Sequence, residues 1–168
     1  MSEDPLEVQV GNGLRSLGWT LALGESCTGG LIGHRLTQVP GASDYFLGGV
    51  VAYAYDAKER LLEVRHQTLY DHGAVSRETA LEMAHGARLA FGADVGLAVT
   101  GIAGPSGGLP GKPVGLTWIA VSTRQRRLAE ETIWAGERAA VKEQSAEAAL
   151  RLLLRVLRES RSPEGAPA

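Results

Sequence analysis

The 168-residue chain is about the length of one domain, and its 44% hydrophobic and 21% charged residues are typical of a globular protein with one well-packed core. A net charge of −2 disfavours a general attraction to nucleic acid or to an anionic membrane, and a single cysteine excludes an internal disulfide. No apolar run has the length or the flanks of a signal peptide or a membrane span, so we expect a cytoplasmic protein.

The first half of the chain predicts an N-terminal helix followed by two strand–helix units. Apolar spacing over residues 6–17 favours an amphipathic helix. A buried strand over residues 20–25 leads into a helix over residues 28–39, which Pro-Gly then ends. β-branched and aromatic residues predict a second strand over 48–55, and we expect Asp56 to cap a short helix after it.

The second half of the chain predicts a helix, three strands and a closing helix. Ser76 has the residue type and position of an N-cap for a helix that ends near Phe91. A strand over residues 95–100 leads into a loop rich in glycine and proline. Two adjacent strands joined by residues 124–126 then predict an antiparallel hairpin, which a helix over residues 139–157 follows.

These elements predict an α/β protein: a three-layer α/β/α sandwich around a mixed, mostly parallel sheet of about five strands. We expect one domain over residues 1–160 and, by composition, a disordered tail over residues 161–168. In such sheets, ligands usually bind where strand ends meet helix starts. The glycine-rich turns at 24–30 and 101–108 both follow predicted strands, so they can line one pocket.

The segment GESCTGGL, residues 24–31, is a strand-to-helix turn that resembles two known motifs and matches neither. It has the outer glycines of a phosphate-binding P-loop, but Gly30 and Leu31 stand at the positions of its lysine and hydroxyl. Its second glycine comes one residue too late for a G-x-S-x-G nucleophile elbow. Three candidate side chains remain: Ser26, Cys27 and Thr28. The alternative is that Ser26 or Thr28 only caps the helix, which is the more common role of such a residue in a turn of this kind.

Ser26 is the leading candidate nucleophile, because unpaired N–H groups at a helix start stabilise a nearby oxyanion. It needs a base, and none of the four histidines lies in a triad-like context. Lys58 follows a predicted strand at the same sheet edge, but a lysine acts as a base only if burial or a nearby cation lowers its pKa. A solvated lysine is the alternative, and Tyr53 is either a core aromatic residue or a hydroxyl donor to the site.

Cys27 ranks second to Ser26, because a lone cysteine beside a helix start is more often a small buried filler. No cluster of histidine, cysteine and aspartate has ligand spacing, so we expect no metal centre. The loop over residues 100–108 offers backbone N–H groups suited to a phosphate or carboxylate, and Arg138 would add a positive charge. A purely structural loop and an exposed arginine are the alternatives.

Six ordered motifs identify a family. They are ESCTGG (25–30), GGVVAYAYDAK (48–58), HGAVS (72–76), TGIAGPSGG (100–108), KPVG (112–115) and GER (136–138). Together they resemble, in order and spacing, the CinA C-terminal domain, also known as nicotinamide-nucleotide amidase, from about Leu6 to Leu157. The resemblance implies hydrolysis of nicotinamide mononucleotide to nicotinic acid mononucleotide and ammonia by a serine–lysine pair, a step in pyridine-nucleotide recycling that uses no cofactor.

Carried over by position, the resemblance makes Ser26 the nucleophile and Lys58 the general base, with Tyr53 beside them. The substrate-binding residues it implies are Thr28, Gly29, Gly30, Thr100, Gly101, Ala103, Gly104 and Arg138. The expected partner is a small-molecule nucleotide, with no nucleic acid and no membrane, and we expect a homo-oligomer. The competing hypothesis is a nucleotide-binding or phosphate-binding module without catalysis.

The chain departs from the family pattern at two points. The family commonly has Y-S-N-E-x-K where residues 53–58 have YAYDAK, so either Tyr53 or Tyr55 can face the site. The chain also lacks the N-terminal molybdopterin-binding-like domain that many members carry, which leads us to expect the stand-alone form of the amidase.

Overall fold

A computed structural model describes residues 4–161 of the chain. The helices of this part are α1 (Leu6–Leu17), α2 (Leu31–Thr37), α3 (Tyr55–Leu62), α4 (His66–His72), α5 (Arg77–Phe91) and α6 (Arg138–Arg161). The strands are β1 (Leu21–Glu25), β2 (Phe46–Val51), β3 (Val95–Gly101), β4 (Leu116–Ser122) and β5 (Arg127–Ile133).

The five strands form one sheet in the order β2-β1-β3-β4-β5. β1 is parallel to both β2 and β3, whereas β4 is antiparallel to β3 and to β5. Four strands therefore run in one direction and only β4 is reversed, which confirms the predicted mixed sheet and the hairpin. The carboxyl ends of β1, β2 and β3 meet at one edge of the sheet, where parallel α/β proteins bind ligands.

The two faces of the sheet carry side chains of different size, and this sets the three layers. Large residues such as Leu23 and Leu97 point towards α1, α2 and α6, whereas Ala22, Gly96 and Ala98 point towards α3, α4 and α5. At Gly96 a Cβ atom would lie only 2.0 Å from the Ala84 carbonyl oxygen of α5. The small face thus lets α5 pack directly on the strand backbone, and the α/β/α sandwich is confirmed.

Several element boundaries differ from the sequence prediction for local reasons. Asp56 does not cap α3, because Ala54 is the N-cap residue and Asp56 lies inside the first turn. Ser76 does cap α5, since its side chain accepts a hydrogen bond from the Thr79 N–H at 3.2 Å. The α2 helix begins at Leu31, and α6 runs to Arg161. Of the predicted tail, residues 162–168 lie outside the described residues.

The α4 helix was not predicted. Its sequence HQTLYDH has no clear apolar period, and the DHG that ends it has the composition of a turn. Only Thr68 and Leu69 of this helix are buried, and Leu69 joins the core under α5. Tertiary packing of one apolar residue therefore supports a helix that local sequence does not signal.

Candidate active site

Ser26 and Lys58 lie in direct contact at the carboxyl edge of the sheet. Ser26 is the first residue after β1, and its N–H donates to the Val99 carbonyl of β3 at 3.0 Å. Lys58 lies in α3, which follows the neighbouring strand β2. The Lys58 Nζ is 2.9 Å from the Ser26 Oγ, and the two residues are 1% and 7% exposed. The parallel pairing of β1 with β2 therefore brings together two residues that are 32 positions apart.

The environment of Lys58 favours its neutral form. Burial lowers the pKa of Lys58 from 10.5 to about 8. With that pKa, roughly a tenth of the Lys58 side chains are neutral at pH 7, compared with fewer than one in a thousand for a free lysine. This population is large enough for Lys58 to act as a base.

The hydrogen-bond partners of Lys58 also orient it as a base. Besides Ser26, the Nζ donates to the carbonyl oxygens of Ala52 at 2.7 Å and Tyr53 at 3.2 Å. A neutral amine has two hydrogens and one lone pair, and carbonyl oxygens can only accept. When Lys58 is neutral, its two hydrogens therefore go to the carbonyls and its lone pair faces the Ser26 hydroxyl.

Cys27 has the features of a packing residue. Its thiol is 5% exposed, and a Cβ atom added at Gly101 would lie 3.0 Å from its Sγ. Burial raises the pKa of the Cys27 thiol from 9.0 to about 11, so the thiolate is rare at neutral pH. A thiol in this state is a poor nucleophile.

Glu25 organises the turn, and the sequence reasoning missed it. This last residue of β1 is 3% exposed, yet its carboxylate has no ion-pair partner in residues 4–161. It accepts four hydrogen bonds, from the Thr28 hydroxyl (2.6 Å) and from the backbone N–H groups of Gly30 (3.1 Å), Ile32 (3.1 Å) and Gly33 (2.9 Å). The start of α2 therefore solvates a carboxylate of the protein itself, and these N–H groups are not open to a substrate anion.

The turn leaves two backbone N–H groups for an oxyanion. The Gly29 N–H donates to the Ser26 carbonyl at 3.0 Å, whereas those of Cys27 and Thr28 donate to no other residue within the described range 4–161. Cys27 and Thr28 are the two residues that follow Ser26 in the chain. Gly29 and Gly30 have φ values of 60° and 99°, the left-handed region that glycine adopts without strain.

Tyr53 joins the Ser26–Lys58 pair to Arg138. Its carbonyl accepts from Lys58, and its hydroxyl accepts from the Arg138 Nη2 at 2.8 Å. The Arg138 Nη1 donates to the Gly104 carbonyl, also at 2.8 Å. Tyr53 and Tyr55 are both exposed, at 59% and 53%, but the Tyr55 hydroxyl makes no hydrogen bond within residues 4–161. Of the two tyrosines that the sequence left open, Tyr53 is therefore the one that contacts the other candidate residues.

The 101–115 loop and the start of α6 enclose a cavity of about 830 Å³ beside this pair. Its lining comprises Ala103, Pro105, Val114, Gly136, Glu137, Arg138, Ala139 and Lys142, and does not include Ser26 or Lys58. Thr100 and Gly101 lie at the end of β3, where the Thr100 hydroxyl donates to the Ala74 carbonyl at 2.7 Å. The cavity and the reactive pair are thus neighbours, and Tyr53 and Arg138 connect them.

Lys142 is a second residue that the sequence reasoning missed. It lies one turn after Arg138 in α6 and lines the same cavity. A Cβ atom at Gly29 would be 3.7 Å from its Nζ, so its charge lies beside the Ser26 turn. One sequence feature could have identified Lys142 as a site residue. It lies four residues after Arg138 in a predicted helix, so both side chains are on the same face of that helix.

The four histidines lie away from Ser26 and Lys58. His34, His66 and His72 are exposed, and His85 is half-buried beside Arg127. The part of the chain that the structure describes contains no group of three His, Cys, Asp or Glu side chains arranged to hold a metal ion. No helix in residues 4–161 has the length and apolarity to cross a membrane.

The burial of Lys58 predicts a pH-dependent stability. Because the pKa is about 8 in the folded chain and near 10.5 in the unfolded chain, the unfolded state binds more protons between these values. Lys58 therefore contributes to the free energy of unfolding an amount that rises with pH across this window, by about 3 kcal/mol, whereas the raised pKa of Cys27 contributes with the opposite sign above pH 9. We expect Lys58→Met to lack this rise when urea unfolding is measured from pH 7.5 to 10. The partly exposed Lys112→Met is the control, and an identical slope for wild type and Lys58→Met would contradict the prediction.

Comparison with known proteins places the chain among close relatives. The family profile described as "CinA C-terminal domain" matches residues 3–157. A CinA-like protein of Salinibacter ruber is 49% identical over 152 residues, covering 90% of this chain and 37% of the relative. A CinA-like protein of Chloroherpeton thalassium is 48% identical over 160 residues, covering 93% of this chain and 38% of the relative. The chain thus spans a little over a third of the length of these curated relatives.

Solved structures share the fold over nearly their whole length. The competence/damage inducible protein CihA from Agrobacterium tumefaciens is 40% identical, with a TM-score of 0.86 over 94% of this chain and 99% of that chain. The competence damage-inducible protein A (ComA) from Klebsiella pneumoniae is 35% identical, with a TM-score of 0.88 over 91% and 95%. The similarity therefore covers both the sheet and the turns that carry the site.

Proposed function

The chain belongs to the CinA C-terminal domain family, and on that premise we propose that it hydrolyses the carboxamide of nicotinamide mononucleotide to nicotinic acid mononucleotide and ammonia. One observation carries the proposal: the buried Lys58 Nζ is 2.9 Å from the Ser26 Oγ and its pKa is lowered to about 8. A serine hydroxyl beside a neutral amine is an activated nucleophile.

The proposed reaction begins with neutral Lys58. It takes the proton of the Ser26 hydroxyl as the Oγ attacks the carboxamide carbon, and the carbonyl oxygen becomes an oxyanion. The N–H groups of Cys27 and Thr28 are the donors available to that oxyanion, each worth about 3 kcal/mol in comparable sites. Lys58 then returns a proton to the leaving nitrogen, and ammonia departs from an ester between Ser26 and the nicotinoyl group.

The second half of the reaction releases the acid. Lys58, neutral again, takes a proton from a water molecule that attacks the ester carbon. The new tetrahedral oxyanion uses the same two N–H groups, and its collapse returns the proton to Ser26. The products are nicotinic acid mononucleotide and ammonia, and no redox partner is needed.

The rest of the nucleotide is assigned to the neighbouring cavity. A volume of about 830 Å³ lies within the usual range for small-molecule sites. We assign the loop residues Gly101, Ala103 and Gly104, with Arg138, to the nucleotide. Thr28, Gly30 and Thr100 act indirectly, since the Gly30 N–H and both hydroxyls bind acceptors within the protein. A homo-oligomeric state, a cytoplasmic location and the absence of nucleic-acid partners stay predictions.

The test is ammonia release from nicotinamide mononucleotide by the purified chain, with the acid product identified by mass. We expect turnover, and a kcat/KM at least roughly tenfold lower for nicotinamide riboside, which lacks the phosphate. Binding of the nucleotide without ammonia release would favour the competing hypothesis of a non-catalytic nucleotide-binding module. That hypothesis leaves the buried contact between Lys58 and Ser26 without a purpose.

A further inference from the structure

Lys142 is a cation that neither the proton transfer nor the packing of the fold uses. It is half-buried in the first turns of α6. Within residues 4–161 its Nζ makes no ion pair and donates no hydrogen bond, although Glu137 and Glu143 are close in sequence. Most charged side chains of α6 do have partners, among them Arg138, Arg151 and Arg155.

The side chain of Lys142 faces the site. Its Nζ would lie 3.7 Å from a Cβ atom at Gly29, within the turn that follows Ser26. Its charge also acts to lower the pKa of the buried Cys27 thiol, against the larger effect of burial. Both observations place the ammonium beside the reactive turn, and Lys142 also lines the cavity.

Arg138 and Lys142 repel each other in the absence of a ligand. They are four residues apart in one helix and line one cavity, an arrangement that costs a few tenths of a kcal/mol when both are positive. Glu137, the one acidic residue in the cavity lining, forms an ion pair with neither. Two of the five N–H donors of Arg138 bind Tyr53 and Gly104, which leaves three for a ligand. A bound anion would satisfy both cations.

The N-terminal end of α2 is not available to bind a substrate anion. Its first-turn N–H groups bind the Glu25 carboxylate, so they cannot also hold a substrate anion. The cationic pair in α6 lines the cavity itself, and the Lys142 Nζ lies beside the turn that carries Ser26.

We propose that Lys142 and Arg138 form the subsite that binds the phosphate of a phosphorylated ribose, and that Lys142 determines the preference for phosphorylated over unphosphorylated amide substrates. The second half of this inference rests on the proposed amide hydrolysis, whereas the first half concerns binding alone. A lysine acts on a phosphate as a point charge with three donors, and Arg138 adds directional N–H groups.

The test of the subsite is calorimetric binding of ribose 5-phosphate to the full chain, with ribose as the uncharged comparison. We expect wild type to bind ribose 5-phosphate and Lys142→Gln to bind it roughly 10- to 100-fold more weakly, the loss typical of a charge-assisted contact. Arg151→Gln, which removes one exposed charge farther along the same helix, is the matched control and should bind like wild type. Equal binding by wild type and Lys142→Gln, or no binding by wild type, would overturn the proposal.

Kinetics separate this subsite from the reaction itself. With nicotinamide mononucleotide, Lys142→Gln should raise KM with little change in kcat, and it should raise the KM for nicotinamide riboside far less. If no ammonia is released from either amide while ribose 5-phosphate binding still depends on Lys142, the subsite stands and the proposed hydrolysis is wrong. If hydrolysis occurs and Lys142→Gln retains the full preference for the phosphorylated amide, the role of Lys142 in specificity is wrong.

Discussion

Ser26→Ala should abolish ammonia release from nicotinamide mononucleotide, lowering kcat by roughly 10³- to 10⁶-fold, the range seen when a catalytic serine is removed. The reason is chemical, because in the proposed reaction the Ser26 Oγ forms the bond to the substrate carbon, and Lys58 has no other hydroxyl within hydrogen-bond distance among residues 4–161. The fold should persist, since the substitution removes one hydrogen bond and leaves the Ala52 and Tyr53 carbonyls as partners of Lys58. Initial rates and a thermal melt of the same preparation measure both effects.

Cys27→Ala is the matched control for this prediction. It changes the adjacent residue in the same turn, removes the thiol that ranked second to Ser26 as the nucleophile, and keeps the backbone N–H that the oxyanion needs. Because the thiol is buried with a pKa of about 11, we expect most of the activity to remain, with a small loss of stability from the lost packing. An inactive Cys27→Ala together with an active Ser26→Ala would show that the nucleophile is assigned wrongly.

The architecture could be predicted because local signals and the overall topology agree. The alternation of strands and helices indicates an α/β sandwich, and the strands either side of residues 124–126 predict the hairpin that the structure contains. The Ser76 cap was predicted for the same reason, since an N-cap is a local feature. Asp56 failed as a cap and α4 was missed because backbone geometry after β2 and burial of Leu69 decide these elements, and neither is visible in a short window.

The candidate site was only partly predictable. The motifs, by resemblance, named Ser26, Lys58, Tyr53 and Arg138, but their contacts depend on β2 pairing with β1 and on α6 returning to the same sheet edge. Glu25 looks like an ordinary strand residue, and its role exists only because the chain turns back and presents three N–H groups to it. Lys142 looks like a solvated helix lysine. Its importance depends on the distance to Gly29, which sequence does not contain.

Lys58→Arg should be as inactive as Lys58→Ala, with kcat lowered by roughly 10²- to 10⁴-fold or more, the usual contribution of a general base. An arginine keeps the positive charge beside Ser26 but does not give up its proton in proteins, so it cannot accept the serine proton. In the wild-type chain, kcat/KM should rise with pH through an apparent pKa of about 8 and level off above it. The value of kcat/KM rises and does not fall with pH, because the neutral amine is the active form and its population grows as the pH passes the pKa.

The partly exposed loop lysine provides the control for this pH dependence. Lys112→Arg should reproduce the wild-type rate and pH profile, because the Lys112 Nζ contacts the His72 carbonyl and no residue of the Ser26–Lys58 pair. Substantial turnover by Lys58→Arg would show that only the charge at this position matters. The proton acceptor would then be Tyr53, Tyr55 or a bound water. A profile that stays flat between pH 6 and 9 would contradict the assignment of Lys58 as the titrating base, because its neutral fraction rises from about a hundredth to about nine-tenths across that range.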